Sequence, residues 1–189
     1  MMTRRTSAGG GVVLSVCLVL VVLITALAPD PATDVRRRWD DVGIRQWGEM
    51  DRAEARATRV QLTRSTVNSY DRKLTSEVTF VIVDYEVRVI RERVSFTAVT
   101  LLTPDGRQYE PRTEFPGLNP TQPGFTRRGS LVFEVPDDRV AGSRLVIDRD
   151  KAGFDVYSAG IRIDLGLRRD AVVLGGPVPV VESVVEVTP

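Results

Sequence analysis

Glu77-Val78-Thr79-Phe80-Val81-Ile82-Val83-Asp84-Tyr85-Glu86-Val87-Arg88-Val89-Ile90 carries the strongest strand signal in the chain, and its reading decides the fold. In the first half, Val78, Phe80 and Ile82 share one face of an extended backbone. In the second half, Val83, Tyr85, Val87 and Val89 share the other, with Asp84, Glu86 and Arg88 opposite them. The apolar phase therefore shifts by one residue between Ile82 and Val83. A one-residue shift flips the buried face, which predicts a β-bulge or a change of sheet at that point. Strands that change sheets belong to sandwiches.

Working outward, strand patterns begin near Ala57, where Val60 and Leu62 alternate with Arg59, Gln61 and Thr63. After a charged connection at Arg91-Glu92-Arg93, Val94–Leu102 is rich in β-branched residues and reads as a strand. Pro104-Asp105-Gly106 is a turn, because proline presets φ and glycine accepts positive φ. Gln108-Tyr109 starts the return. Pro111–Gly129 holds four prolines and three glycines and reads as a long loop. Ser130–Val135 is a strand with Leu131, Phe133 and Val135 inward, closed by the turn residues Pro136-Asp137-Asp138. Arg144–Asp148 and Ile161–Leu165 are two more strands. The sum is an all-β chain of about seven short strands with no amphipathic helix between them, which predicts a β-sandwich at residues 53–169 rather than a βαβ fold. The segment 170–189 is apolar but broken by Gly175-Gly176-Pro177 and Pro179, and is expected to be an edge strand or disordered.

Upstream, Thr6–Pro29 carries no charge, and Gly11–Ala28 reads GVVLSVCLVLVVLITALA. At ~1.5 Å rise per residue, about 18 helical residues span ~27 Å, close to a bilayer's hydrocarbon core. Residues 11–28 are thus expected to be a transmembrane helix in membrane lipid, after a cytoplasmic tail at 1–10. A signal peptide cleaved after Ala26-Leu27-Ala28 is the other reading; Pro29 after the cut disfavours it, since its φ is locked and it lacks an N–H. Residues 29–52 read as a juxtamembrane stalk, with a helical turn or two at Asp34–Asp41 (DVRRRWDD). Arg4 and Arg5 precede the span, but Arg36, Arg37, Arg38 and Arg45 follow it, so charge counting leans toward an outside N-terminus.

Composition narrows the chemistry. The 189 residues contain no histidine, and the one cysteine, Cys17, lies inside the apolar run. Ser-His-Asp and Cys-His machinery within the chain is excluded, a zinc site is disfavoured, and no intrachain disulfide can form. The formal net charge of +1 gives no basic field for nucleic acid. Asp148, Asp150 and Gly153 start a D-x-D-x-x-G calcium pattern, but Ala152 and Ala159 fall where oxygen donors are needed, so a turn is expected. No cofactor, metal or catalytic residue is predicted. The contact surface expected from the sequence is the proline-rich loop, with Phe115, Leu118 and Pro120 exposed on it.

Three blocks carry a family resemblance: Leu101-Leu102-Thr103-Pro104-Asp105-Gly106-Arg107-Gln108-Tyr109, the stretch from Gln122 to Pro136 (QPGFTRRGSLVFEVP), and Ile163-Asp164-Leu165-Gly166-Leu167. Together they resemble domain of unknown function 4352, a telokin-like, immunoglobulin-like family of exported bacterial proteins. The resemblance covers roughly residues 55–167, and its middle block is the most specific. It implies an immunoglobulin-like sandwich outside the cell membrane and brings no catalytic residue. Many members have a lipobox; Val16 before Cys17 departs from it. With Lys73 and Lys151 the only lysines, the composition looks like that of an actinobacterium. The expected function is a non-enzymatic, single-pass, extracytoplasmic module binding a protein or another envelope component. The alternative is an accessory subunit of a membrane complex assembled through its helix.

Overall fold

The computed structural model describes residues 38–50, 52–68, 71–91, 96, 98–113, 118, 122–148 and 159–188. Among them the chain is all-β, with one single-turn 3-10 helix at Asp137–Arg139. One sheet contains β1 (Arg38–Gly43), β9 (Ala159–Asp164), β8 (Arg144–Asp148), β5 (Ala98–Leu102) and β6 (Gln108–Tyr109), in that spatial order. The other is built on β3 (Ala53–Val67), β4 (Lys73–Val89), β7 (Phe125–Val135) and β12 (Val184–Val187) side by side. The far edge of β3 is tiled by three short strands, β2 (Gly48–Met50), β10 (Val173–Leu174) and β11 (Val178–Pro179).

The sheets form a sandwich around one core. Val81, Val83, Tyr85, Leu131 and Phe133 of the larger sheet meet Leu101, Leu145, Ile147, Ile161 and Ile163 of the smaller. Leu131, Phe133 and Val135 point inward, as the alternation predicts, and the turn at Pro104-Asp105-Gly106 returns the chain so that Leu101 pairs Tyr109. Each inward Val, Leu, Ile or Phe contributes about 1.5–3 kcal/mol on leaving water.

The central strand departs from its sequence reading. Between Thr79↔Val135 and Arg88↔Thr126, β4 pairs β7 without a break in register. Odd-numbered residues from Val81 to Val89 face the core throughout. Phe80 and Ile82 face the other side, where they join Val132 and Val178 in a second apolar cluster. The apolar phase shift thus marks a strand covered on both faces, which reads as a continuous hydrophobic run. The irregularities lie instead in the β3–β4 pairing, between Ala57 and Arg59 and between Thr63 and Ser65. Thr58 is the extra residue of the first, and its hydroxyl donates to the Asp84 carbonyl at 3.2 Å.

Long-range pairing corrects two expectations and decides between the alternatives of a third. The sandwich has twelve strands among the described residues, not about seven. Part of the expected stalk at 29–52 belongs to the domain, because β1 lies parallel to β9 from Arg38↔Ala159 to Gly43↔Asp164 and β2 pairs β3. Trp39 and Val42 give that polar segment its grip. Trp39 lies against Gly160, where an added Cβ would fall 2.4 Å from its ring, and the Arg162 guanidinium stacks 4.8 Å from the ring centroid. The segment after 170 takes the edge-strand alternative of its reading and forms an ordered strap. After β11 it crosses the outer face of β4 and joins β7 antiparallel as β12. Thr66 donates to the Val178 carbonyl at 2.8 Å, and Val180 N–H donates to the Val67 carbonyl.

Among the described residues no helix is long and apolar enough to cross a membrane. The transmembrane expectation at 11–28 lies outside the described residues.

Candidate functional site

The outer face of the larger sheet carries a polar seam whose members come from strands far apart in sequence. At its centre is Asp84 on β4, buried to 9 % exposure. Its carboxylate accepts from Ser130 Oγ at 2.6 Å and from Arg59 Nε at 2.7 Å. Ser130 Oγ in turn accepts from Val181 N–H at 3.0 Å. The serine hydroxyl therefore relays between the buried acid and the backbone of the strap. A buried carboxylate is tolerated when each oxygen has such a partner.

Toward the strand ends the seam becomes a charge ladder. Arg88 pairs Glu54, and Glu86 lies between Arg56 and Arg128, at 2.5 and 2.9 Å. Arg128 also reaches Glu186 of β12 at 2.9 Å. The indole of Trp47 stacks on both Arg56 and Arg88, 4.4 Å from each guanidinium carbon. These cross-strand pairs follow from direct opposition in the register, Glu54↔Arg88, Arg56↔Glu86 and Glu86↔Arg128. Each carboxylate of the ladder faces a guanidinium, so the face is zipped rather than open for proton transfer. Removing Asp84 is expected to loosen both seam and strap. Asp84→Ala leaves Ser130 and Arg59 without their acceptor and is expected to cost about 2–3 kcal/mol in urea unfolding. Asp84→Asn keeps an acceptor for Ser130, and the half-exposed Arg59 stays hydrated, so about 1 kcal/mol is expected.

A second polar element lies at the opposite face of the β4–β7 pair. The Tyr85 ring crosses beneath Gly129, its register partner, where an added Cβ would meet the ring and hydroxyl at 3.0–3.2 Å. Its hydroxyl shares a hydrogen bond with Ser183, which also accepts from Arg127 at 2.6 Å. Burial raises the Tyr85 pKa above the ordinary phenol value, against the lowering effects of Ser183 and Arg127. The phenol thus stays protonated and structural.

An open cleft of about 460 Å³ lies at one end of the sandwich, between Leu62, Thr79, Val140 and Ala171, with Asp138 and Arg168 on its rim. Asp137 on the same rim is held by the Thr79 hydroxyl at 2.7 Å and by Arg64. At another corner, the Thr103 hydroxyl and the nearby Arg139 hold the Asp105 carboxyl below the usual range. Asp137 and Asp138 close β7 as a turn, as the sequence predicts. No group of three or more metal-ligating side chains occurs among the described residues. Asp150 and Gly153 of the calcium pattern lie outside them.

The expected contact loop changes character. Leu118 is buried at 7 % exposure in the main core, because the loop folds an apolar side chain inward instead of presenting it. Phe115 and Pro120 lie outside the described residues. Phe125 is half-buried. What the loop reading missed is the strap. Among the described residues, every large apolar side chain that stands exposed, Ile90 excepted, falls between Val172 and Val187. The signal was in the sequence as a β-prone apolar tail, but nothing local says which side of it is covered.

No family model and no curated protein matches the chain. Among solved structures, it is similar to the yjhA protein from Bacillus subtilis, at 12% identity and a TM-score of 0.48, over 65% of this chain and 99% of that one. It is similar to a conserved hypothetical protein from Bacillus anthracis, at 12% identity and a TM-score of 0.44, over 56% of this chain and 87% of that one. An uncharacterized beta-sandwich protein from Clostridium difficile is similar at 11% identity and a TM-score of 0.41, over 67% of this chain and 95% of that one. Likenesses this distant carry no argument about what the chain does.

Proposed function

We propose that the chain is a membrane-anchored, extracytoplasmic binding module that engages a protein partner rather than turning over a substrate. In this reading the sandwich is immunoglobulin-like and related to the domain of unknown function 4352 family. The observation that carries the binding role is the apolar strap, whose Val181, Val184, Val185 and Val187 stand in solvent on a rigid sheet. Exposed apolar side chains gathered on one short segment make it a candidate interaction site. The zipped ladder and the buried, fully bonded Asp84 favour a scaffold over a reaction centre. The uncharged run at Gly11–Ala28 supports the anchor.

The experiment is fractionation with surface proteolysis of intact spheroplasts. The reading expects the chain in the carbonate-washed membrane pellet and its C-terminal domain cut from outside. Recovery of the intact chain from the cytosol would overturn it. Replacing residues 11–28 by an unrelated anchor separates the roles: a binding module keeps its partner, whereas a subunit assembled through its helix loses it.

A further inference from the structure

We propose that the open cleft at the end of the sandwich binds a small zwitterion with an apolar side chain, an α-amino acid or a short peptide with both termini free; this goes beyond the partner surface on the strap. At about 460 Å³ the cleft falls within the ~300–1,000 Å³ of small-molecule sites. Leu62 and Val140, each 5 % exposed, give its lining an apolar base. Asp138 enters it from the turn after β7, and Arg168 and Arg169 from the connection after β9. The walls are fixed by backbone bonds. Gly142 N–H donates to the Leu167 carbonyl at 2.8 Å, and Ala171 N–H donates to the Arg168 carbonyl at 3.1 Å.

The charges of this lining are uncommitted. The side chains of Asp138, Arg168 and Arg169 stand exposed and make no hydrogen bond or ion pair with one another or with any other residue. The ladder on the outer face is the contrast: there Arg56, Arg88 and Arg128 each hold a carboxylate. The neighbouring groups of the cleft are already engaged. Asp137 is held by Thr79 and Arg64. Arg139 lies 3.6 Å from Asp105, and its Nη1 donates to the Tyr109 hydroxyl at 3.2 Å. What remains is one carboxylate and two guanidiniums, opposite in sign, in one cleft and out of contact. A simple anion would meet Asp138 as a like charge, and a simple cation would meet the guanidiniums. A ligand carrying both signs answers all three. Its α-carboxylate matches the guanidinium fork, its α-ammonium matches Asp138, and its side chain leaves water against Leu62 and Val140.

Isothermal titration calorimetry of the full chain in nonionic detergent tests this, with L-leucine and L-leucyl-L-leucine as the probes. One or both are expected to bind at about 1 mM or tighter, and the tighter of the two tells a free amino acid from a peptide. Capping either end removes one charge, so leucyl-leucine amide and N-acetyl-leucyl-leucine are each expected to bind at least about tenfold more weakly. Glycylglycine keeps both charges and lacks the apolar side chains, and is also expected to bind at least about tenfold more weakly. On the protein, Asp138→Asn, and Arg168→Gln together with Arg169→Gln, are expected to give the same loss. Thermal unfolding is expected to stay unchanged, because these side chains hold nothing in the fold. The capped peptides probe the same contacts on the native chain, so the test stands even where a variant unfolds. No saturable heat from either probe up to about 20 mM, capped ligands that bind as well as free ones, or variants that bind as tightly as the native chain would overturn the proposal.

Discussion

Cutting the chain after Asp170 is expected to cost about 4 kcal/mol or more, a large share of what holds a typical domain folded. The strap removed by that cut covers Phe80, Ile82 and Val132, each at 2 % exposure or less. Uncovering three such side chains costs about 1.5–3 kcal/mol each where they become fully solvated. The cut also removes the Val181 N–H bond to Ser130, the Thr66 bond to Val178, and the strand pairing of β12 with β7. Against a typical total of about 5–15 kcal/mol for a domain, that loss is decisive. Urea unfolding followed by the Trp39 and Trp47 fluorescence measures it. Val178→Asp is the graded version: it places a carboxylate within the outer cluster without a partner and is expected to cost about 3 kcal/mol. A truncated chain as stable as the full one would show the strap to be an ornament.

Tyr85→Ala is expected to cost about 4 kcal/mol, and Tyr85→Phe about 1 kcal/mol. Tyr85 is 1 % exposed, and its ring fills the space that Gly129 leaves open on the neighbouring strand. Truncating a buried aromatic to alanine costs about 3–5 kcal/mol, cavity included. The phenylalanine variant keeps the ring and loses the bond to Ser183. The pair also differ in their response to base. Burial raises the Tyr85 pKa in the folded state. Its contribution is fully present below the unfolded value of about 10 and is lost as pH rises through the folded one. The native protein is therefore expected to lose stability more steeply than Tyr85→Phe as pH rises above about 10. Parallel slopes for the two proteins would contradict the assignment.

The sheet pattern was legible where alternation and turn residues agree. Alternation in Ser130–Val135 places Leu131 and Phe133 inward, and the proline-glycine turn at 104–106 returns the chain as expected. The reading failed where the covering element lies far away in sequence. Phe80 and Ile82 on one side and Val83 and Tyr85 on the other look the same whether a strand is bulged or buried on both faces. The difference is decided by Val178, about a hundred residues later. Likewise Arg38–Gly43 has no strand signature of its own. It becomes a strand because β9 offers an edge and Gly160 a seat for Trp39. The contact surface was misplaced for a related reason. A proline-rich loop looks exposed by composition, yet Leu118 turns into the core, while the apolar segment after 170 buries Val178 and leaves Val181, Val184, Val185 and Val187 in solvent.

Native-state hydrogen exchange resolved to single amides tests the central claim, that the strap is part of the sandwich and β4 is one unbroken strand beneath it. The account predicts that amides of β4 from Val81 to Tyr85 and of the strap at Val180, Val181 and Glu186 are all protected, with the β4 amides exchanging only through global unfolding. Rapid exchange across the strap while β4 stays protected, or a fast amide at Val83 splitting β4 in two, would contradict it.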